Sequence, residues 1–226
     1  MPRVHKVEKA QKADPRAGIA KGDTYYWWTF KNQRGPGTKV KSKVYPKPSQ
    51  LTRSNFKSQW RSFGEEIAEL ALDDGLYDAL QEIAGRIREL GDECQGSLDN
   101  MPEGLQQGAT GEMLQERIDN CESWASEIEG LDDPGQFDES EIEDLPTFAD
   151  WLDDGGPAAP EPQRADFADE VEEFQEYLDA FQDWAEQCWA DFGTEVQEKI
   201  EEARSEYDSK LSDLRDEAGN ADPGEV

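Results

Sequence analysis

The chain has 226 residues, 53 Asp and Glu against 23 Lys and Arg, a formal net charge of −30 and a hydrophobic share of 35%. Such a composition provides for one modest core and leaves long parts of the chain in water. It contains no run of about 18 apolar residues, which argues against a membrane span.

The charge is segregated. Residues 1–62 hold fifteen Lys/Arg against three acids (Glu8, Asp14 and Asp23), a balance of +12, whereas residues 63–226 carry −42. A basic, aromatic segment suits a polyanion, while a densely acidic body repels one and attracts cationic protein surfaces. Residues 1–20 are poor in large apolar side chains and broken by Pro15 and Gly18, which predicts a flexible basic arm.

Residues 21–48 predict a β-hairpin. Tyr25-Tyr26-Trp27-Trp28-Thr29-Phe30 is aromatic, holds a β-branched residue and has no breaker. Asn32 to Gly37 supplies turn chemistry, and Thr38 to Tyr45 alternates Val40, Ser42 and Val44 against Lys39, Lys41 and Lys43. On the first strand Tyr25, Trp27 and Thr29 face one way and Tyr26, Trp28 and Phe30 the other. A small hairpin has one protein-facing side, so one aromatic row needs another cover. Tyr26, Trp28 and Phe30 are the candidate row for stacked bases, with Arg34, Lys39, Lys41, Lys43 and Lys47 placed near phosphates. The competing reading covers that row with the protein's own body.

Residues 49–130 predict a helical core packed with the hairpin. Thr52 is a candidate N-cap, and Phe56, Trp60, Phe63, Ile67 and Leu70 recur at steps of four and three. After Asp73-Asp74-Gly75, a second helix carries Leu76, Leu80, Ile83, Ile87, Leu90 and Cys94 on the same rhythm. Residues 95–111 read as a loop. A third helix follows to Gly130, with Leu114, Ile118, Cys121, Ala125 and Ile128 inward and Trp124 at the edge.

Residues 131–163 form an acidic Pro/Gly-rich linker. Within it Phe148, Trp151 and Leu152 either dock into a partner protein's groove or fold back on the core. Residues 164–218 predict a long acidic amphipathic helix, or two helices. Phe167, Val171, Phe174, Leu178, Phe181, Ala185, Cys188 and Phe192 keep heptad spacing, and Val196 to Leu214 continue it. Gly193-Thr194 is the candidate joint, with Thr194 and Gln197 as a capping box. The thinner stretch Ile200 to Leu214 suits a partner or a free end, and residues 219–226 read as tail. The fold class is therefore mainly α with a small N-terminal β-hairpin, a helical bundle plus a long heptad-patterned C-terminal helix.

Catalytic chemistry has little support. Carboxylates are too abundant for any pair to be informative, and His5 is the single histidine. No phosphate-cradling Gly-rich loop precedes a helix, and no Ser sits in a G-x-S-x-G frame. Cys94, Cys121 and Cys188 are widely spaced and read as small core residues. No catalytic residue, metal ligand or cofactor is assigned.

The run GDTYYWW-F, the basic strand and P-K-P-S-Q-L-T after it, and the helix around QERIDNCESWASEIEG resemble uncharacterised proteins encoded by tailed bacteriophages. The resemblance covers residues 4 to 130. It implies expression in the cytoplasm of an infected bacterial host and carries no activity onto these positions. Three functions remain in view: a nucleic-acid-binding accessory protein, an acidic imitator of nucleic acid that occupies a host protein, and a structural or assembly protein held by helical pairing. The first is the leading expectation.

Overall fold

The computed structural model describes residues 1–31, 37–142, 145–160 and 171–224, without the side chains of 171–173. The protein is mainly helical, with a small antiparallel sheet near its N-terminus and a long C-terminal helix. It divides into two compact units, Met1–Asp133 with Leu211–Val226, and Pro134–Lys210.

In the first unit the sheet has three strands, β1 (His5–Val7), β2 (Tyr25–Phe30) and β3 (Thr38–Ser42), in the order β1-β2-β3. The expected free arm is thus part of the fold. Its β1 pairs with β2, and Ala10 and Ile19 are only 4% and 3% exposed. Asp14 and Ile19 exchange backbone hydrogen bonds around a turn closed by Gly18 at φ +64°. The left-handed region that a side chain resists thus falls on the residue without one. β3 ends at Ser42, and Val44 lies 74% exposed beyond it rather than on the strand's inner face.

Helix α1 (Asn55–Glu69) is capped by Ser54, whose hydroxyl accepts from Lys57 N at 3.3 Å; Thr52 lies outside the helix. Phe56, Trp60, Phe63 and Ile67 bury its stripe. Helix α2 (Leu76–Asp99) runs one turn past the expected stop, and its six stripe residues Leu76 to Cys94 are all buried. A short α3 (Glu103–Gln106) leads to α4 (Ala109–Glu129), which packs along α2. Burial of each such aliphatic side chain contributes about 1.5–3 kcal/mol, and this seam is the centre of the fold. Gly91 belongs to it, since a Cβ there would meet Cys121 Cβ at 3.0 Å.

Trp124, expected at the edge, is completely buried. Its ring lies 4.8 Å from Trp60 and 6.4 Å from Phe63, and its Nε1 donates to Ala218 O at 3.0 Å. Trp60 Nε1 donates to Asp222 Oδ1 at 3.0 Å. Leu211, Leu214 and Ala218 are buried as well. Leu211 to Ala218 is therefore core, not a free end.

The second unit holds α5 (Phe148–Asp153) and the first forty residues of α6 (Val171–Asn220). The helix continues through Gly193-Thr194. Thr194 Oγ1 donates to Ala190 O at 2.9 Å, and Gln197 donates to Glu201, so the proposed capping box is not formed. A threonine inside a helix satisfies its hydroxyl on the preceding turn, which removes the need for a break.

Candidate nucleic-acid interface

The sheet's register decides which side chains share a face. Trp28 pairs with Val40, whereas Trp27 pairs with Lys41 and Thr29 with Lys39; across the other edge His5 pairs with Trp27 and Val7 with Tyr25. One face therefore carries Tyr26, Trp28, Phe30 and Val40. The other carries His5, Val7, Tyr25, Trp27, Thr29, Lys39 and Lys41.

This arrangement takes Trp28 out of the expected contact row, while Phe30 lines the groove described below. Trp28 is 3% exposed, and its Nε1 has no acceptor among the described residues, so it serves as apolar core. Tyr26 is half-buried with its ring edge-on to Tyr45, and half-buried Phe30 lies under the Arg53 guanidinium at 5.2 Å. The lysines Lys39 and Lys41 stand on the opposite face from that row. Arg34 lies outside the described residues.

The basic side chains fall into two sets. Lys41 Nζ pairs with Asp14 Oδ2 at 2.5 Å, Lys43 with Asp23 at 2.7 Å and Lys47 with Glu69 at 2.6 Å. The hydrogen bond from Lys41 holds the Asp14 carboxyl below its ordinary range, and that from Lys43 does the same for Asp23. Asp14 and Glu69 in turn raise Lys41 and Lys47. Each of these three lysines is already paired with a carboxylate of the same molecule, in pairs that lie at the solvent-exposed surface.

Arg3, Lys31, Lys39 and Arg53 make no ion pair with a carboxylate among the described residues. Lys39 Nζ sits 3.7 Å from the centre of the Trp27 ring. The His5 ring stacks on the same indole at 4.2 Å and 12°. Because His5 comes from β1 and Lys39 from β3, on either side of β2, Trp27 is held upright between them. Arg53 is fixed against the sheet, donating to Thr38 Oγ1 at 3.1 Å and to the carbonyls of Lys31 and Phe30.

These residues frame a groove of about 690 Å³. Arg3, His5, Trp27, Thr29, Lys31 and Arg53 are among its walls, and none of the residues lining it is Asp or Glu. A second depression of about 510 Å³ continues on the same face, where Lys9, Lys12 and Tyr25 meet the Lys41–Asp14 pair. The outcome is a basic track with an aromatic ridge in a chain of net charge −30. The sequence reading missed Arg3, His5, Trp27, Lys31 and Arg53. Arg3-Val4-His5-Lys6-Val7 carries no period-two alternation that would signal a third strand.

The expected protein-docking residues are already engaged inside the second unit. Phe148 stacks on Trp189 at 4.1 Å and 4°, and meets Phe192 edge-on at 5.3 Å. Trp151 Nε1 donates to Glu195 at 2.7 Å, and Leu152 is half-buried. α5 folds back on α6, so this trio is not free to enter a partner's groove.

All three cysteines are reduced and buried. Burial pushes the Cys121 thiol up to about 12 and raises Cys94 in the same direction, which leaves little thiolate at neutral pH. Among the described residues no group of three or more His, Cys, Asp or Glu is placed to hold a metal ion, and no helix is long and apolar enough to cross a membrane. Comparison with protein-family profiles, with curated proteins and with solved structures returns no match to this chain.

Proposed function

We propose that this is a non-enzymatic accessory protein, phage-encoded and acting inside an infected bacterium, that binds nucleic acid through the His5/Trp27 face of its N-terminal sheet. The observation that carries the reading is the acid-free groove. Placing three basic side chains around an aromatic ridge, with no carboxylate among its walls, is an unusual local arrangement in so acidic a chain. Guanidinium and ammonium groups that make no ion pair with a carboxylate among the described residues are available to phosphates. The ring of Trp27 is flanked on both faces, so it offers an edge and the outer side of His5 rather than an open stacking platform. Backbone contact thus weighs more than base stacking here, and affinity falls steeply with salt.

The test is fluorescence anisotropy of labelled single-stranded and duplex oligonucleotides over a salt series from 50 to 200 mM. Arg3→Glu with Lys31→Glu is expected to weaken binding by tenfold or more and to flatten the salt slope by roughly two, about one per lost phosphate contact. Lys43→Ala, which removes a lysine already paired, is expected to change little. Absence of binding at 50 mM salt, or binding indifferent to the double charge reversal, would overturn the proposal.

A further inference from the structure

The edge strand β1 sorts its side chains by parity. Arg3, His5, Val7 and Lys9 all line the two depressions on the Trp27 face, Arg3 and His5 the larger, Val7 and Lys9 the smaller. Lys6 and Glu8, of the other parity, pair with each other at 3.8 Å, so the acid of this segment is turned from the track. Arg3 and Lys9 are exposed and make no ion pair with a carboxylate among the described residues. At the rise of a strand, about 3.3 Å per residue, they stand at most about 20 Å apart. His5 lies between them.

The ring of His5 is the place where a base can be received. It is half-buried, with one face on the Trp27 indole at 4.2 Å, and Lys39 Nζ closes the far side of that indole at 3.7 Å. The stack therefore runs across the sheet from β3 through β2 and ends on β1, beyond which the sheet has no further strand among the described residues. A nucleobase laid on the outer face of His5 lengthens the stack by one layer, with Arg3 and Lys9 placed for the phosphates on either side. This geometry disfavours a paired helix. Bases stacked in a duplex lie about 3.4 Å apart along each strand, so their faces are closed to a side chain unless the helix is kinked. Proteins that read duplexes push a convex element, an α-helix or β-ribbon, into a groove about 12 Å wide. Here the basic side chains line hollows of about 690 and 510 Å³ instead.

We infer, resting on the proposed nucleic-acid role of this face, that its ligand is a single strand, held by its phosphates at Arg3 and Lys9 and by one unpaired base stacked on His5. DNA and RNA single strands share that chemistry. Stacking of one base contributes a factor of roughly five to a hundred in affinity, and unlike phosphate contact it persists at raised salt. A duplex carries its charge more densely, one per about 1.7 Å of axis, so it competes best at low salt and falls away faster as salt rises. The margin of the single strand therefore widens with salt.

Fluorescence anisotropy with the full chain tests this, using oligo(dT) and oligo(U) of about twelve nucleotides, an abasic oligomer of the same length and a blunt duplex, at about 50 and 150 mM salt. At the higher salt at least one of the two single strands is expected to bind roughly fivefold or more tighter than the abasic oligomer and the duplex. His5→Ile, whose β-branched side chain suits a strand and still covers Trp27 but offers no flat ring, should erase that margin without altering the salt slope. His5→Phe restores the ring and should restore the margin. A duplex or abasic oligomer bound as tightly as both single strands, a margin that survives His5→Ile, or one that His5→Phe fails to restore would overturn the inference while leaving the nucleic-acid role of the face standing. Failure to bind any of these probes at the lower salt would overturn that role, and the inference with it.

Discussion

Helices α2 and α6 are written with the same rhythm and meet opposite ends. In α2 every stripe residue from Leu76 to Cys94 is sealed against the neighbouring helices. In the first half of α6, Phe174, Leu178 and Phe181 of an equally regular stripe keep two fifths or more of their surface, while Cys188 further along it is sealed. Periodicity states that a face is apolar; it does not state what lies against it. The α2 face has α4, with small Gly91 and Cys121 allowing close approach. Against the α6 face, among the described residues, lie the six-residue α5, whose Phe148 and Trp151 cover the end nearest Phe192, and Pro157, whose carbonyl accepts from Trp184 Nε1 at 2.9 Å.

The largest expected effect comes from cutting at the sealed region. Trp124→Ala removes a fully buried indole in contact with Trp60 and Phe63 and leaves Ala218 O without its donor. A loss of about 3–5 kcal/mol is expected from denaturant unfolding followed by circular dichroism. Leu178→Ala, the same kind of truncation on the open stripe, is expected to cost under about 1 kcal/mol. Comparable losses at both positions would erase the distinction between the two helices.

A smaller effect separates a segment held by packing from one held by ion pairs. The turn around Ile19 depends on Asp14 and Asp23, whose folded carboxyls titrate below the ordinary value because Lys41 and Lys43 hydrogen-bond to them. A depressed carboxyl stabilises the fold above its unfolded pKa, about 4, and that contribution is lost as pH falls through the lower folded value. The raised Lys41 gives the complementary limit: its contribution is complete below the ordinary lysine range, about 10.4, and is lost only as pH rises through the folded value. Between those limits the segment should be indifferent to pH. Followed by NMR, the Ile19 methyl signal is expected to move below about pH 4 before that of Ile87 in α2 does. Simultaneous change at both positions would show that the ion pairs do not act locally.

What could be read from the residues follows the same division. The helices of the first unit were legible because each buried stripe is regular and closed by turn residues. The three-stranded sheet was only partly so. A hairpin's face assignment depends on the parity of its register, and a slip of one residue moves every side chain to the other face. The alternation of Lys39 and Lys41 was visible, but not that they would stand beside Trp27 instead of Trp28. β1 spans three residues among lysines, too short for a period to show, and so His5 was read as tail. Arg53 sits after the hairpin in sequence and joins the groove only through its bonds to Thr38 and Lys31. The C-terminal core residues Leu211, Leu214 and Ala218 were diluted among acids, and Trp124 and Trp60, which donate to Ala218 O and Asp222, are distant in sequence.

The smallest effect tests whether the exposed half of α6 is governed by helix propensity rather than packing. Thr194 is exposed in mid-helix and returns its hydroxyl to Ala190 O at 2.9 Å, an arrangement that satisfies the side chain at the expense of a stiff χ1. Among the described residues its hydroxyl makes no other hydrogen bond. Thr194→Ala therefore exchanges a poor helix former for the best one and is expected to stabilise the protein by roughly 0.5 kcal/mol, read as a small rise in thermal midpoint. In a region where packing decides, deleting two heavy atoms lowers stability. A loss of about 1 kcal/mol or more would mean that Thr194 is in contact with something, and that this stretch of α6 belongs with the sealed helices after all.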